Sequence, residues 1–546
     1  MSVQQNELVK MKSLLWAVYP DHSDEELTFV WSQLMQILEE NSGIDDFYRF
    51  ENQQIWDASS VVLITYPDAI YTKGIPTLRT LEDFIDKKFS QLSTVVHILP
   101  FLPSTSDGGF AVSNYEEIEA SFGDWADLKR FARKHKIMAD FVLNHVSSSH
   151  PWVKQFTKCE EPGKSFILSP KVKIYWNKVV RPRNSSLFTQ LYTSNGNKDV
   201  WTTFGPDQID LNWGNPRILI EFLRLLVTYT RNGVSWLRLD AIAFIWKEPK
   251  TNCLHRQEVH KLVKILRIQL RQLLSEGVLI TETNVPEKEN LSYLETGDEA
   301  NIAYNFSLPP LLLECLLSNK ADVINKWLDN KYDFPANTTL LNFTASHDGV
   351  GLRGLEGIMN KDRIHKLLVN IEERGGLISH RRLSNGQDQP YELNISWWSA
   401  MADGGSNSTY LQLERFLLSQ MFVLALKGVP AFYLQAILAS SNDIVRFKRT
   451  GQRRDLNRSK FEVNSLQREL RNENSPASIN IKFLNEAMQI RSSLQAFHPE
   501  SPMRCLSSER SDCVIIERGF DRQKVFAIHN MTQSLLSLDL KKSLKL

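Results

Sequence analysis

The chain has 546 residues, 42% hydrophobic and 23% charged, with 64 basic against 63 acidic side chains and a net charge of +1. That length exceeds one ordinary domain, and the composition is that of a folded globular protein rather than a disordered chain. The even charge balance excludes the basic footprint of a nucleic-acid binder, and five scattered cysteines without a CxxC exclude a disulfide framework or a zinc site.

Residues 1–55 place Leu14, Leu15 and Val18, then Leu34, Ile37 and Leu38, at helical spacing among charged positions. This predicts an N-terminal helical extension that packs on the rest of the protein. The first ten residues lack the apolar core of a signal peptide, and no run approaches the length of a membrane span. A cytoplasmic chain with no membrane association is expected.

From residue 56 the pattern changes to short apolar runs separated by helical segments. Strands are predicted at 61–66, 95–101, 137–146, 234–243, 278–283, 302–308, 340–346 and 429–434. Helical segments such as 125–135 and 259–274 lie between them. Eight such strands with intervening helices predict an α/β fold, a (β/α)8 TIM barrel over 56–494. Two stretches are too long for simple connections. Residues 147–214, after strand three, lack regular periodicity and are rich in Ser, Pro, Asn and Lys. Residues 350–402, after strand seven, contain the turn cluster Asn385-Gly-Gln-Asp-Gln-Pro390. Both are expected to be irregular insertions that shape a pocket. After 494, short runs at 514–516 and 525–529 predict a small all-β C-terminal domain, 495–546.

Three carboxylates end or follow the predicted strands. Asp240 closes Val234-Ser-Trp-Leu-Arg-Leu-Asp240, Glu282 follows Gly277-Val-Leu-Ile-Thr281, and Asp348 follows the run 340–347. A TIM barrel displays its catalytic groups at the carboxyl ends of its strands. The plainer alternative for each acid is a helix N-cap. Two carboxylates roughly 5 to 5.5 Å apart suffice for retaining glycosyl transfer, one attacking the anomeric carbon and one protonating the leaving oxygen. Arg238 lies two residues before Asp240, so on a strand it shares that face and can hold the carboxylate ionised. Its alternative role is a structural ion pair. His145 and His347 also fall at strand ends, where hydroxyl recognition is the expectation. Asp107-Gly-Gly-Phe110 forms a turn after strand two. The run Gly349-Val-Gly-Leu-Arg-Gly354 fits GxGxxG, but it opens an insertion instead of a helix and leaves Asp240 and Glu282 unexplained.

Together, Arg238-Leu-Asp240, Glu282, His347-Asp348 and Asp140-Phe-Val-Leu-Asn-His145 resemble the α-amylase superfamily of glycoside hydrolases. Leu99-Pro-Phe-Leu-Pro-Ser-Thr-Ser-Asp-Gly-Gly-Phe110, Phe204-Gly-Pro-Asp-Gln-Ile-Asp-Leu211, His347-Asp-Gly-Val-Gly351 and Asn457-Arg458 narrow the resemblance to the sucrose phosphorylase subfamily. It runs from about residue 55 to 495. Asp240-Ala-Ile-Ala-Phe-Ile-Trp-Lys-Glu248, Glu282-Thr-Asn-Val-Pro286, Gly297-Asp-Glu-Ala300 and Phe306-Ser-Leu-Pro-Pro310 are similar to its glucosylglycerate phosphorylase branch. The resemblance implies Asp240 as nucleophile, Glu282 as general acid/base and Asp348 as transition-state stabiliser. It implies Asp107, Phe110, His145, Arg238, His347 and Arg458 around the glucose, and Gln208 toward the acceptor. Arg183 and Tyr391 match positions that handle phosphate or acceptor.

The implied reaction is phosphorolysis of 2-O-α-glucosylglycerate to α-glucose 1-phosphate and glycerate. The partners are then a sugar substrate and phosphate as co-substrate, with no metal or organic cofactor, in a monomer or homodimer. Phosphorylases of glucosylglycerol, sucrose 6′-phosphate or sucrose are the nearest alternatives. A hydrolase or transglucosidase on the same scaffold is another, and a catalytically dead barrel used as a binding partner is a third of a different class. Asn284 stands where sucrose phosphorylases carry His, which disfavours sucrose. Glu287 stands where the glucosylglycerate branch carries His, and its charge would oppose an anionic acceptor if it faced inward. Arg181, Arg183, Arg381 and Arg382 are the candidate cations for an acceptor site, of which at least one should face the pocket.

Overall fold

In the computed structural model, residues 3–43, 55–170, 176, 178–330, 333–383, 387–403, 409–507, 509–520, 523–539, 541 and 543 are described. Eight parallel strands close into one barrel. They are β1 (Val62–Thr65), β2 (Val95–Ile98), β3 (Lys136–Val142), β4 (Val234–Asp240), β5 (Val278–Thr281), β6 (Ile302–Tyr304), β7 (Thr339–Phe343) and β8 (Val429–Tyr433). Each lies beside its sequence neighbours, and β1 closes the ring against β8 through Val62 opposite Ala431. Burial on both faces explains why the strands are near-continuous apolar runs and not alternating ones. Helices such as Thr77–Lys88, Ile218–Arg231 and Gln257–Leu273 cover the outside, each with an apolar stripe against the barrel.

All eight predicted strands form, but several end early. The third stops at Val142 and the sixth at Tyr304. Beyond the ends of the third, fourth and sixth strands Leu143, Ile242, Ala243 and Phe306 remain buried. Apolar character therefore outlasts strand pairing. His145 is not at a barrel-strand end but in a short strand, His145–Ser147, that pairs antiparallel with Gln208–Asp210.

The two insertions are more regular than expected. The first contains the helices Pro151–Lys158 and Gly163–Phe166 and a hairpin of Phe188–Thr193 with Gly196–Trp201. The second contains the helix Lys361–Glu373 and a three-stranded antiparallel sheet of Val350–Gly351, Asp388–Asn394 and Leu377–Arg382. Within the predicted turn cluster, Asp388, Gln389 and Pro390 belong to a strand; Asn385 and Gly386 lie outside the described residues. The glycine-rich run is a packing device. A Cβ on Gly349 would sit 2.5 Å from the Leu393 carbonyl oxygen, and one on Gly354 would sit 2.6 Å from that of Phe306.

At the N-terminus, α1 (Val3–Val18) and α2 (Asp24–Glu40) pack on the outer helices Gln257–Leu273 and Ile218–Arg231. Met11, Leu15, Val18, Leu27, Val30, Leu34 and Leu38 are buried there, and the Arg271–Glu7 (2.9 Å) and Lys10–Asp298 (2.5 Å) pairs border the contact. Residues 44–54 of the predicted extension lie outside the described residues. At the other end, Met503–Cys505, Cys513–Phe520 and Gln523–Asn530 form an antiparallel sheet. The buried Arg518 docks it by donating to the carbonyls of Ala425 (3.1 Å) and Leu426 (2.5 Å), just before β8. No described helix is long and apolar enough to cross a membrane.

Candidate active site

Strand register assembles the charges. Asp140 on β3 lies opposite Arg238 on β4, and Val142 lies opposite Asp240. Period two puts Arg238 and Asp240 on one face. The buried Arg238 guanidinium donates through Nη1 to Asp140 and to Asp240 Oδ1 (3.0 Å), while Nη2 lies 3.6 Å from Glu282 Oε1. Glu282 follows β5, where its backbone N–H reaches the Leu239 carbonyl (3.3 Å) and its Oε2 accepts from the Ala241 amide (3.1 Å). One guanidinium thus reaches both acids across one pocket. None of the three strand-end carboxylates caps a helix, since the helical turns that follow are capped by Ala241, Pro286 and Leu352.

Asp348 stands at the end of a short loop after β7. Ser346 Oγ accepts from its amide (3.2 Å), Asn457 Nδ2 donates to the Ser346 carbonyl (2.8 Å), and Arg458 Nε donates to the His347 carbonyl (2.9 Å). The carboxylate pairs with Arg454 and lies 3.5 Å from His347 Nε2.

These environments separate the acids electrostatically. Burial raises the Asp240 carboxyl well above its usual range; Arg238 opposes this, and the charges of Glu282, Asp140 and Asp348 add to it. Burial raises Glu282 as well, against Arg238 and with Asp348. Burial also penalises the charges of Asp348 and Asp140, but cations prevail. Arg454 holds Asp348 well below the carboxylate range, and Arg238, with a hydrogen bond to His97, holds Asp140 down to about 2. The histidines are kept neutral, because burial lowers both His145 and His347.

Around the carboxylates, Phe110 stacks on His347 with ring centroids 5.1 Å apart. His145 Nε2 lies 3.1 Å from the Phe110 carbonyl oxygen. Gln208 Nε2 donates to Asp107 (3.3 Å) and lies 3.0 Å from His145. Gln208 thus contacts two of the residues expected around glucose. One pocket of about 60 Å³ brings together Asp107, Phe110, His145, Arg183, Gln208, Arg238, Asp240, Glu282, His347, Asp348 and Tyr391. Arg458 is set behind it, over the Tyr66 ring and on a separate cavity of about 260 Å³. A larger cleft, about 730 Å³, lies between β7 and the C-terminal sheet and contains none of the strand-end carboxylates.

Of the four candidate cations, only Arg183 lines the pocket. Its guanidinium lies 5.9 Å from the ring centroids of both Phe204 and Tyr391, bridging the two insertions. Arg381 pairs with Glu356 (2.9 Å) and Arg382 with Asp388 (2.7 Å), both away from the pocket, and Arg181 does not reach it. Glu287 turns outward, where its Oε1 accepts from Trp327 Nε1 (2.6 Å), so the expected conflict with an anionic acceptor does not arise. Asn284 lines the pocket, packed against Gly351.

Two pocket residues were not anticipated. Arg454 joins Asp348 to Glu392, donating Nη2 to Glu392 Oε2 (2.6 Å) and Nε to Oε1 (3.1 Å). The signals were an acid inside the apolar run Tyr391-Glu-Leu-Asn-Ile-Ser-Trp-Trp398 and a basic pair four residues before Arg458. Among the described residues, no group of three or more His, Cys, Asp or Glu side chains is placed to hold a metal ion.

The catalytic-domain description of the α-amylase family matches residues 91–352. A glucosylglycerate phosphorylase of Allomeiothermus silvanus is 37% identical over 479 residues, covering 87% of this chain and 86% of its own. One from Escherichia coli K12 is 34% identical, covering 87% and 85%. The crystal structure of sucrose 6F-phosphate phosphorylase from Thermoanaerobacter thermosaccharolyticum shares the fold, with a TM-score of 0.75 at 24% identity over 87% of this chain and 94% of that one. With more than 30% identity to two relatives along most of both chains, this protein belongs to the α-amylase family of enzymes, in the group that holds the glucosylglycerate phosphorylases.

Proposed function

We propose that the protein is a retaining α-glucoside phosphorylase acting on 2-O-α-glucosylglycerate. The observation that carries this reading is 34–37% identity to three glucosylglycerate phosphorylases over 87% of the chain. The pocket chemistry supports it. Asp240 attacks C1 of the glucosyl unit while Glu282 gives its proton to the departing glycerate oxygen. A β-glucosyl ester forms on Asp240. Phosphate then attacks C1 from the vacated face, Glu282 takes back a proton where phosphate carries one, and the ester bond breaks. Two inversions give α-glucose 1-phosphate.

The starting protonation follows from geometry. Asp240 and Glu282 are buried together, burial raises both carboxyls, and they titrate as a pair. Arg238 touches Asp240 at 3.0 Å and Glu282 only at 3.6 Å, so the charge rests on Asp240 and the proton on Glu282. Burial raises the Glu282 carboxyl, so this proton is retained above the usual glutamate range. The kcat/KM profile should fall on its alkaline side as pH rises through that raised value. A limb at the ordinary glutamate position, measured on a folded enzyme, would contradict this.

Phosphate and glycerate are both anions and use overlapping space beside the glucosyl ester. Arg183 supports this because no described carboxylate neutralises it, unlike Arg238 and Arg454. Asn284, neutral where sucrose phosphorylases carry His, suits a small acceptor. With α-glucose 1-phosphate as donor, glycerate should release phosphate faster than glycerol, fructose, fructose 6-phosphate or water. Arg183→Ala should raise KM for phosphate and glycerate together by about 10- to 100-fold, the worth of one charge-assisted hydrogen bond. Hydrolysis of glucose 1-phosphate should change less. Faster release with glycerol than with glycerate would replace this reading with a glucosylglycerol phosphorylase.

A further inference from the structure

The turn that presents Asp107 is held from outside the pocket by a carboxylate with no place in the reaction above. Asp207 lies in the first insertion, one residue before Gln208. Its Oδ2 accepts from Thr105 Oγ1 (2.6 Å) and Ser106 Oγ (2.5 Å). Its Oδ1 accepts from the Ser148 amide (3.3 Å) and from the Ser148 hydroxyl. The Ser148 amide also lies 3.1 Å from the Asp207 carbonyl oxygen, and Thr105 Oγ1 is 2.6 Å from Ser147 Oγ. Two loops meet on this one side chain: the loop after β2, through Thr105 and Ser106, and the start of the first insertion, through Ser148, 59 residues before Asp207 itself.

What they hold is a turn the backbone does not favour alone. Asp107 has φ of 52°, followed by Gly108 at 62° and Gly109 at 106°. Left-handed backbone is unfavourable for a residue with a Cβ, and such strain persists only where surroundings over-determine it. The turn is also tightly placed. A Cβ on Gly108 would sit 2.7 Å from both Arg458 Nη1 and the Tyr66 hydroxyl. Asp107 and Phe110 line the pocket from this turn, and Gln208 completes the link from the insertion side. Hydroxyls donating to a carboxylate form short, charge-assisted bonds, which neutral asparagine makes less strongly. Burial works against the Asp207 charge, but Ser106, Ser148 and Thr105 hold it below the usual carboxylate range.

We propose that Asp207 is a positioning residue for the glucosyl subsite, locking residues 105–110 in the conformation that aims Asp107 and Phe110 at the donor sugar. The kinetic part of the test rests on the glucosyl-transfer reading above; the structural part does not. Asp207→Ala should raise KM for α-glucose 1-phosphate and for α-glucosyl fluoride by up to ~10²-fold, the effect of misplacing a binding group by about 1 Å. KM for glycerate should stay within about threefold, because Arg183 and Asn284, proposed above for the acceptor, pack on Phe204, Tyr391 and Gly351 rather than on this turn. Asp207→Asn should recover part of the loss, since its carbonyl oxygen still accepts from Ser106 and Thr105. Ser106→Ala and Thr105→Val, each removing one donor to Asp207, should shift the donor KM in the same direction by less; they also serve if the aspartate variants fold poorly. A crystal structure of Asp207→Ala, or of Ser106→Ala in its place, should show Asp107 displaced from its φ of 52°. An unmoved turn, an unchanged donor KM, or an equal rise in donor and acceptor KM would overturn the assignment. Wild-type enzyme inactive on every glucosyl donor would sink the reaction and leave the structural result to decide the role of Asp207.

Discussion

Asp240→Ala should abolish glucosyl transfer on natural and activated donors alike, with kcat falling by about 10⁴-fold or more, the scale seen when a nucleophile is removed. No neighbouring group can take its place. Asp140 is locked by Arg238 and His97, and Asp348 is paired with Arg454. The fold should survive, because Arg238 keeps Asp140 as a buried partner and is not left with an unpaired charge. The space left by the carboxylate also gives a positive readout. Azide added to Asp240→Ala with α-glucosyl fluoride should form glucosyl azide of the β configuration, because one displacement inverts C1 once. Wild-type turnover in the folded variant, or an α-azide, would remove Asp240 from the nucleophile's place.

Glu282→Gln carries the second large effect. On glucosylglycerate it should lose on the order of 10² to 10⁴ in rate, the usual worth of general acid catalysis. Glucosylation by α-glucosyl fluoride should suffer far less, since fluoride leaves with little protonation. The fall in kcat/KM at raised pH should disappear, because glutamine has no proton to lose. The amide can still accept from Ala241 and lie near Arg238, so folding should be close to wild type. Equal losses of glucosylation rate on both donors would exclude Glu282 as the acid.

The barrel was legible because β1 to β8 are buried on both faces, and such strands are written as unbroken apolar runs. The pairing of Arg238 with Asp240 was legible too, since period two alone puts them on one face. The contact of Arg238 with Asp140 was not, because it depends on the register between β3 and β4, 98 residues apart in sequence. Arg454 and Glu392 escaped notice for the same reason. They meet across 62 residues, and each alone reads as an ordinary charge in a loop or insertion. The hairpin Phe188–Thr193 with Gly196–Trp201 was not legible because few of its residues are buried and it carries little apolar alternation. Glu287 shows the limit of reading a charge by its neighbours. Five residues after Glu282, it is turned outward by the start of the helix Glu287–Leu291 and held by Trp327.

The proposed activity is transfer of a glucosyl unit to phosphate through two inversions. It is tested most directly by supplying 2-O-α-glucosylglycerate and phosphate and reading the anomeric configuration of the product by proton NMR before it equilibrates. α-Glucose 1-phosphate should appear one for one with glycerate, and only when phosphate is present. β-Glucose 1-phosphate, or free glucose released at the same rate without phosphate, would contradict it.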